Sequence, residues 1–224
     1  MKKYLLFLSA ILTLAACNIT ETEPQAQEAG KLYATIEQDT KTTLDADNNI
    51  LWSEGDQISA FMKTSYGHKY QLISSYKGLS YAEFERIDAG SSDHLSGGME
   101  WDHNVVYYPH SENIKARKSG IGYELDITLP ATQSYAPESF GNGAFPMVAV
   151  SETNDIIFRN ICGGIKLQFK GAQEVVSIKI EGKNGERIAG AAKVNAYSDD
   201  QKPSITMDSE ALTSITLDCG HGIQ

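Results

Sequence analysis

Tyr123-Glu124-Leu125-Asp126-Ile127-Thr128-Leu129 decides the fold. Tyr123, Leu125, Ile127 and Leu129 share one face of an extended chain, and Glu124, Asp126 and Thr128 share the other. This period of two is that of a strand with one face on a core and one in water. The pattern recurs in both directions. Leu32, Ala34 and Ile36 alternate with Tyr33, Thr35 and Glu37, and Ile165, Leu167 and Phe169 with Lys166, Gln168 and Lys170. Val176, Ile178 and Ile180 repeat it, as do Ile215, Leu217 and Cys219. Turn chemistry separates the runs at Asp45-Ala46-Asp47-Asn48-Asn49, Gly97-Gly98, Pro109-His110-Ser111 and Lys183-Asn184-Gly185. Asn184-Gly185, between Ile180 and Ile188, predicts a hairpin, because both residues accept positive φ. Many short alternating strands with no sustained amphipathic helix predict an all-β chain of antiparallel sandwiches.

A boundary is expected near Ser151 to Asp155. The preceding loop, Ala131 to Pro146, holds Pro137, Gly141, Gly143 and Pro146, too many breakers for one regular element. The organisation is therefore read as an N-terminal β-sandwich domain over 31–150 and a C-terminal β domain over 151–224. The second block is small for an independent core. It ends a few residues past the strand Ser214 to Asp218, so its C-terminal part is expected to be missing.

The N-terminus carries an address. Lys2 and Lys3 precede an apolar stretch, Tyr4 to Ala16, broken only by Ser9 and Thr13. It is shorter than the about 20 apolar residues a permanent membrane helix needs, and reads as a signal peptide, residues 1–16. Leu14-Ala15-Ala16-Cys17 has the form of a lipobox, in which small residues give a peptidase access to the bond before the cysteine. Cys17 is the expected lipid-attachment residue, and two or more acyl chains make such anchoring stable. Residues 17–30, rich in Glu, Thr, Gln, Ala and Pro, read as a lipidated flexible tether.

Charge narrows the partners. Loss of Lys2 and Lys3 with the signal takes the net charge from −10 to −12. Such a chain repels phosphate backbones, so nucleic acid is not an expected partner. Electrostatic adsorption to anionic lipid is equally disfavoured, which leaves attachment to the acyl group. Cys162 and Cys219 each lie in an apolar run; spacing leaves a disulfide and two buried thiols both open.

Candidate chemistry is sparse. Asp45, Asp47 and Asn49 begin a calcium-loop pattern, but Ile50 stands where the sharp turn needs Gly, and Asp56 stands where a bidentate Glu belongs. A solvated turn explains the same residues. His68, His94, His103, His110 and His221 show no metal-ligand spacing, although Asp93-His94 and Asp102-His103 are adjacent pairs. Glu83 and Glu85 share one face of an apparent strand, the usual arrangement of a solvated face. Gly163-Gly164 precedes a strand rather than a helix and so cannot cradle phosphate; a bulge or a close backbone approach is expected there. Trp52, Trp101, Tyr107, Tyr108 and Tyr123 form either a sugar-stacking platform or core. No enzyme, cofactor or metal site is expected.

Three stretches together resemble the fimbrillin-like lipoproteins of Bacteroidales, the superfamily of major and minor fimbrial subunits. They are Thr40 to Phe61 (TKTTLDADNNILWSEGDQISAF), Leu129 to Ser151 (LPATQSYAPESFGNGAFPMVAVS) and Asn160 to Gly171 (NICGGIKLQFKG). The resemblance implies two transthyretin-like antiparallel β-sandwich domains, the second incomplete here, and assembly with other fimbrial subunits by donor-strand exchange. Polymerising members are cut after a basic residue behind the first strand. Arg86, Arg117, Arg159 and Arg187 all lie beyond it, and Lys41 is the candidate. The expected function is that of a non-catalytic, surface-exposed outer-membrane lipoprotein acting as fimbrial subunit, anchor or adhesin, with a host or bacterial surface glycan or protein as a further partner. The alternative is a glycan-binding outer-membrane lipoprotein of a polysaccharide-uptake system, which requires an exposed aromatic row.

Overall fold

A computed structural model describes residues 30–37, 50–88, 100–137, 139–141, 143–198 and 201–223. Cys17 and the rest of the tether up to residue 29, Lys41, the turn Asp45 to Asn49, His94 and Gly97-Gly98 lie outside the described residues. The described chain is all-β, with one 3-10 turn at Ser74–Tyr76 and no α-helix.

Seven strands close into a barrel: β1 (Lys31–Ile36), β2 (Gln57–Phe61), β3 (Gly67–Leu72), β4 (Tyr81–Arg86), β5 (Asn104–Tyr108), β9 (Met147–Ser151) and β10 (Asp155–Asn160). Their order around the barrel is β1-β10-β9-β5-β2-β3-β4. A four-stranded sheet is formed by β6 (Lys115–Ser119), β7 (Gly122–Leu129), β12 (Gly190–Ala196) and β13 (Ser204–Met207), in the order β13-β12-β7-β6. A third sheet orders β11 (Val175–Glu181), β14 (Ser214–Ile223) and β8 (Thr132–Ser134) as β11-β14-β8.

Alternation explains the first two sheets. Leu32, Ala34 and Ile36 point into the barrel, where they meet Ile58, Phe84, Phe158 and Trp52. Burial of each Leu, Ile or Phe among them is worth about 1.5–3 kcal/mol. Tyr123, Leu125, Ile127 and Leu129 of β7, with Ala192 and Val194 of β12, form the inner face of the four-stranded sheet. They cover the outside of the barrel wall at Phe61, Val105, Tyr107 and Val148. β2, β5 and β9 are thus packed on both faces; Val105 to Tyr108 of β5 and Met147 to Val150 of β9 read as continuous apolar runs, and β2 buries Ser59 among its apolar residues.

Several expectations are revised. Ile165, Leu167 and Phe169 do not form a strand: 163–170 has no regular structure and every residue in it is exposed. Asn184-Gly185 does lie in a turn, with Gly185 at φ 82°. The flanking strands do not form a hairpin, because β11 pairs with β14 and β12 pairs with β7 and β13. Pairing is not antiparallel throughout, since β1 runs parallel to β10 and β14 parallel to β8. A Cβ added at Gly163 would meet nothing within 4 Å, so no close backbone approach explains that glycine. Strand pairing crosses the boundary expected at 150/151: β10 completes the barrel beside β9, and β12 pairs with β7.

Candidate functional site

One feature that packing does not explain is the stretch from Gly163 to Val176. It leaves the barrel after β10 and reaches β11, an edge strand of the three-stranded sheet. Ile165, Leu167, Phe169 and Val176 are 68%, 45%, 57% and 56% exposed. Exposed apolar side chains grouped this closely in sequence are uncommon on a self-contained surface, where contiguous apolar patches mark places where something else packs. None of residues 163–170 shares a strand ladder with another described strand. Glycines flank Ile165 to Lys170 within it, with Gly163 and Gly164 before and Gly171 after. The sequence alone could not distinguish this stretch from a paired strand, because alternation registers side-chain chemistry and not the presence of a neighbour.

The residues weighed for chemistry are held in structural roles. Trp52, Trp101, Tyr107 and Tyr123 are buried in the two cores, and Tyr108 packs half-buried against the inner one. They make no exposed row. Asp56 accepts hydrogen bonds from the Ser53 N–H at 2.7 Å and the Tyr108 hydroxyl at 3.0 Å, which fastens the turn before β2 to the end of β5. Burial raises the Asp56 pKa against those two bonds. Glu83 accepts the Tyr76 hydroxyl at 2.5 Å, and that bond pushes the Tyr76 phenol up to about 12. It also lies 3.7 Å from Lys31. Glu83 is thus a surface anchor on β4, and among the described residues no second carboxylate shares its hydrogen bond.

The histidines are dispersed. His68 contacts Asp88 at 3.2 Å, His103 lies 3.5 Å from Glu152, and His110 bridges Ser59 and Glu112. Among the described residues, no three His, Cys, Asp or Glu side chains come together in a way that could hold a metal ion. Cys162 and Cys219 are free thiols. Burial pushes the Cys162 thiol up, away from reactive thiolate.

An ionic cluster that sequence reading missed lies on the outer face of the four-stranded sheet. Arg117 on β6 bonds both Asp126 oxygens and Glu124 on β7, and Lys193 on β12 reaches Glu124 at 3.0 Å. The polar half of the alternating strands, Glu124 and Asp126, was the available signal. Strand order, which puts Arg117 opposite Glu124 and Lys193 opposite Asp126, was not legible.

Comparison with known proteins finds one family match, a prokaryotic membrane lipoprotein lipid attachment site over residues 1–18. The chain is a membrane-anchored lipoprotein. The matched segment includes Cys17 and puts the anchor at the N-terminus, ahead of the barrel. No curated protein and no solved structure matches the chain.

Proposed function

We propose that this lipoprotein is a non-catalytic, surface-facing component of the outer membrane, acylated on Cys17. It acts as a fimbrillin-like subunit, anchor or adhesin that joins its partners by strand addition. One observation carries the reading: Ile165, Leu167 and Phe169 stand exposed at alternate positions of a segment that shares no strand ladder among the described residues. Such a segment offers a backbone donor and acceptor row for affinity and a row of alternate side chains for specificity. The resemblance of Asn160 to Gly171 to fimbrillin-like lipoproteins supports the same role. The burial of Trp52, Trp101, Tyr107 and Tyr123 in the cores, with Tyr108 half-buried against one of them, favours this reading over a glycan-binding one built on those five residues.

Hydrogen exchange tests the reading. Amides of 163–170 should exchange freely in the isolated protein and become protected in the assembled fraction recovered from cells. Leu167→Asp with Phe169→Asp should abolish that fraction while leaving the near-ultraviolet spectrum of the barrel unchanged. Assembly that survives both substitutions would show that partners join elsewhere.

A further inference from the structure

Resting on the strand-addition reading, we propose that the strand which pairs with 163–170 is the same segment of a second copy, running antiparallel about Leu167. The chain's own segments outside the described residues do not match it. Residues 17–29, 38–49 and 89–99 are polar, and their few large apolar residues (Ile19, Leu44, Leu95 and Met99) never alternate. A second copy does match. Antiparallel pairing centred on Leu167 sets Ile165 across from Phe169 twice, a β-branched residue against an aromatic one, which is a favourable cross-strand pair. All the apolar side chains then share one face. Lys166 meets Gln168, Lys170 meets Gly164, and Gly163 meets Gly171, so no lysine faces another.

Neighbouring registers fail on charge or on face. A shift of one residue in the pairing turns the apolar residues of one copy away from those of the other. A shift of two in either direction sets lysine against lysine, Lys166 across from Lys170 in one case and from its own copy in the other; like charges directly opposite are destabilising. An in-register parallel pair puts both Lys166 and Lys170 beside their own copies. Among registers within two residues of it, the centred one alone keeps the apolar faces together and the lysines apart in Gly-Gly-Ile-Lys-Leu-Gln-Phe-Lys-Gly. A two-fold pair closes on itself, so copies meeting here form dimers, and longer assembly needs a second edge.

Gln168 provides the test, since it is exposed and outside both cores. The mature chain with Cys17→Ser is followed by sedimentation across the micromolar range. Gln168→Glu creates two Glu–Lys cross-strand pairs per dimer and should tighten dimerisation; Gln168→Lys creates two Lys–Lys pairs and should weaken it, each by about two- to thirtyfold. Opposite signs for the two variants, together with loss of the Gln168→Glu gain when Lys166→Gln is added but not when Lys170→Gln is added, support the centred register. Every rival register that sets residue 168 against itself predicts weakening by both, and that result overturns the pairing. A chain that stays monomeric overturns it too. In that event, protection of 163–170 amides in the assembled fraction from cells would still uphold strand addition with another partner, so the two readings fail separately.

Discussion

Val105 and Val106 are chain neighbours buried in different cores. Val106 faces into the barrel with Trp52 and Phe84, whereas Val105 faces outward onto the layer that holds Leu125 and Val194. The wall made by β2, β5 and β9 is therefore shared, and neither layer can open without exposing apolar surface of the other.

The shared wall predicts a single unfolding transition. The two tryptophans report the two cores separately, Trp52 the inner and Trp101 the outer. Urea titrations of Trp101→Phe and Trp52→Phe, each followed by the fluorescence of the remaining indole, should give coincident midpoints once corrected for each variant's own stability. Phe84→Ala in the inner core should cost about 3–5 kcal/mol and Leu125→Ala in the outer core about 2–5 kcal/mol, and each should move both signals. Separate midpoints would mean that the barrel and the four-stranded sheet fold independently.

Trp52 is 2% exposed and stands edge-on to Phe84 at 5.0 Å, yet its indole N–H has no hydrogen-bond partner among the described residues. A buried unpaired donor costs about 1–3 kcal/mol. Trp52→Phe keeps an aromatic ring against Phe84 and removes the donor, so its loss of stability should be much smaller than the about 3–5 kcal/mol expected of Trp52→Ala. Equal losses, measured by chemical denaturation, would show that the indole ring volume outweighs the orphaned donor.

What was legible in the sequence follows from what alternation reports. β1 and β7 have one dry face and one wet face, and their residues declare it. β5 has two dry faces, and Asn104-Val105-Val106-Tyr107 shows no period because both sides are buried. Closure of the barrel depends on the parallel partnership of β1 with β10, residues separated by more than a hundred positions, and no local pattern encodes it. Segment 163–170 was misread for a different reason. It has the composition of a paired strand, and its pairing partner is the one thing composition does not state. The membrane address, by contrast, was fully local, since the match that carries it lies within residues 1–18.

Cys17 should carry the anchor alone. Cells expressing Cys17→Ser and fed labelled palmitate should yield unlabelled protein, while the parent is labelled. Mass spectrometry of the parent's N-terminal peptide should begin at the modified Cys17 and show the added acyl mass. An unmodified N-terminus downstream of residue 17, or undiminished labelling of the variant, would place the anchor elsewhere.

The outer ionic cluster gives a pH dependence with a definite sign. Lys193, with Arg117 beside it, lowers the Glu124 pKa, and Arg117 lowers that of Asp126. Because both are lowered on folding, the unfolded chain binds more protons than the folded one in acid. The contribution is complete above the ordinary carboxylate values of about 4 and is lost as pH falls through the lower folded values. Arg117→Gln should therefore make the acid limb of a urea-midpoint-against-pH curve shallower. Arg117→Gln with Lys193→Gln should flatten it further, because Lys193 is the larger influence on Glu124. These side chains are substantially solvated, so the difference should shrink as salt is added. An acid limb with the parent's slope in the double variant would move the origin of acid sensitivity to the other carboxyls held low, of which Asp88 is the most enclosed. There, hydrogen bonds from Arg86, the Lys69 N–H and His68 outweigh burial and hold the carboxyl low, and His68→Gln would become the informative substitution.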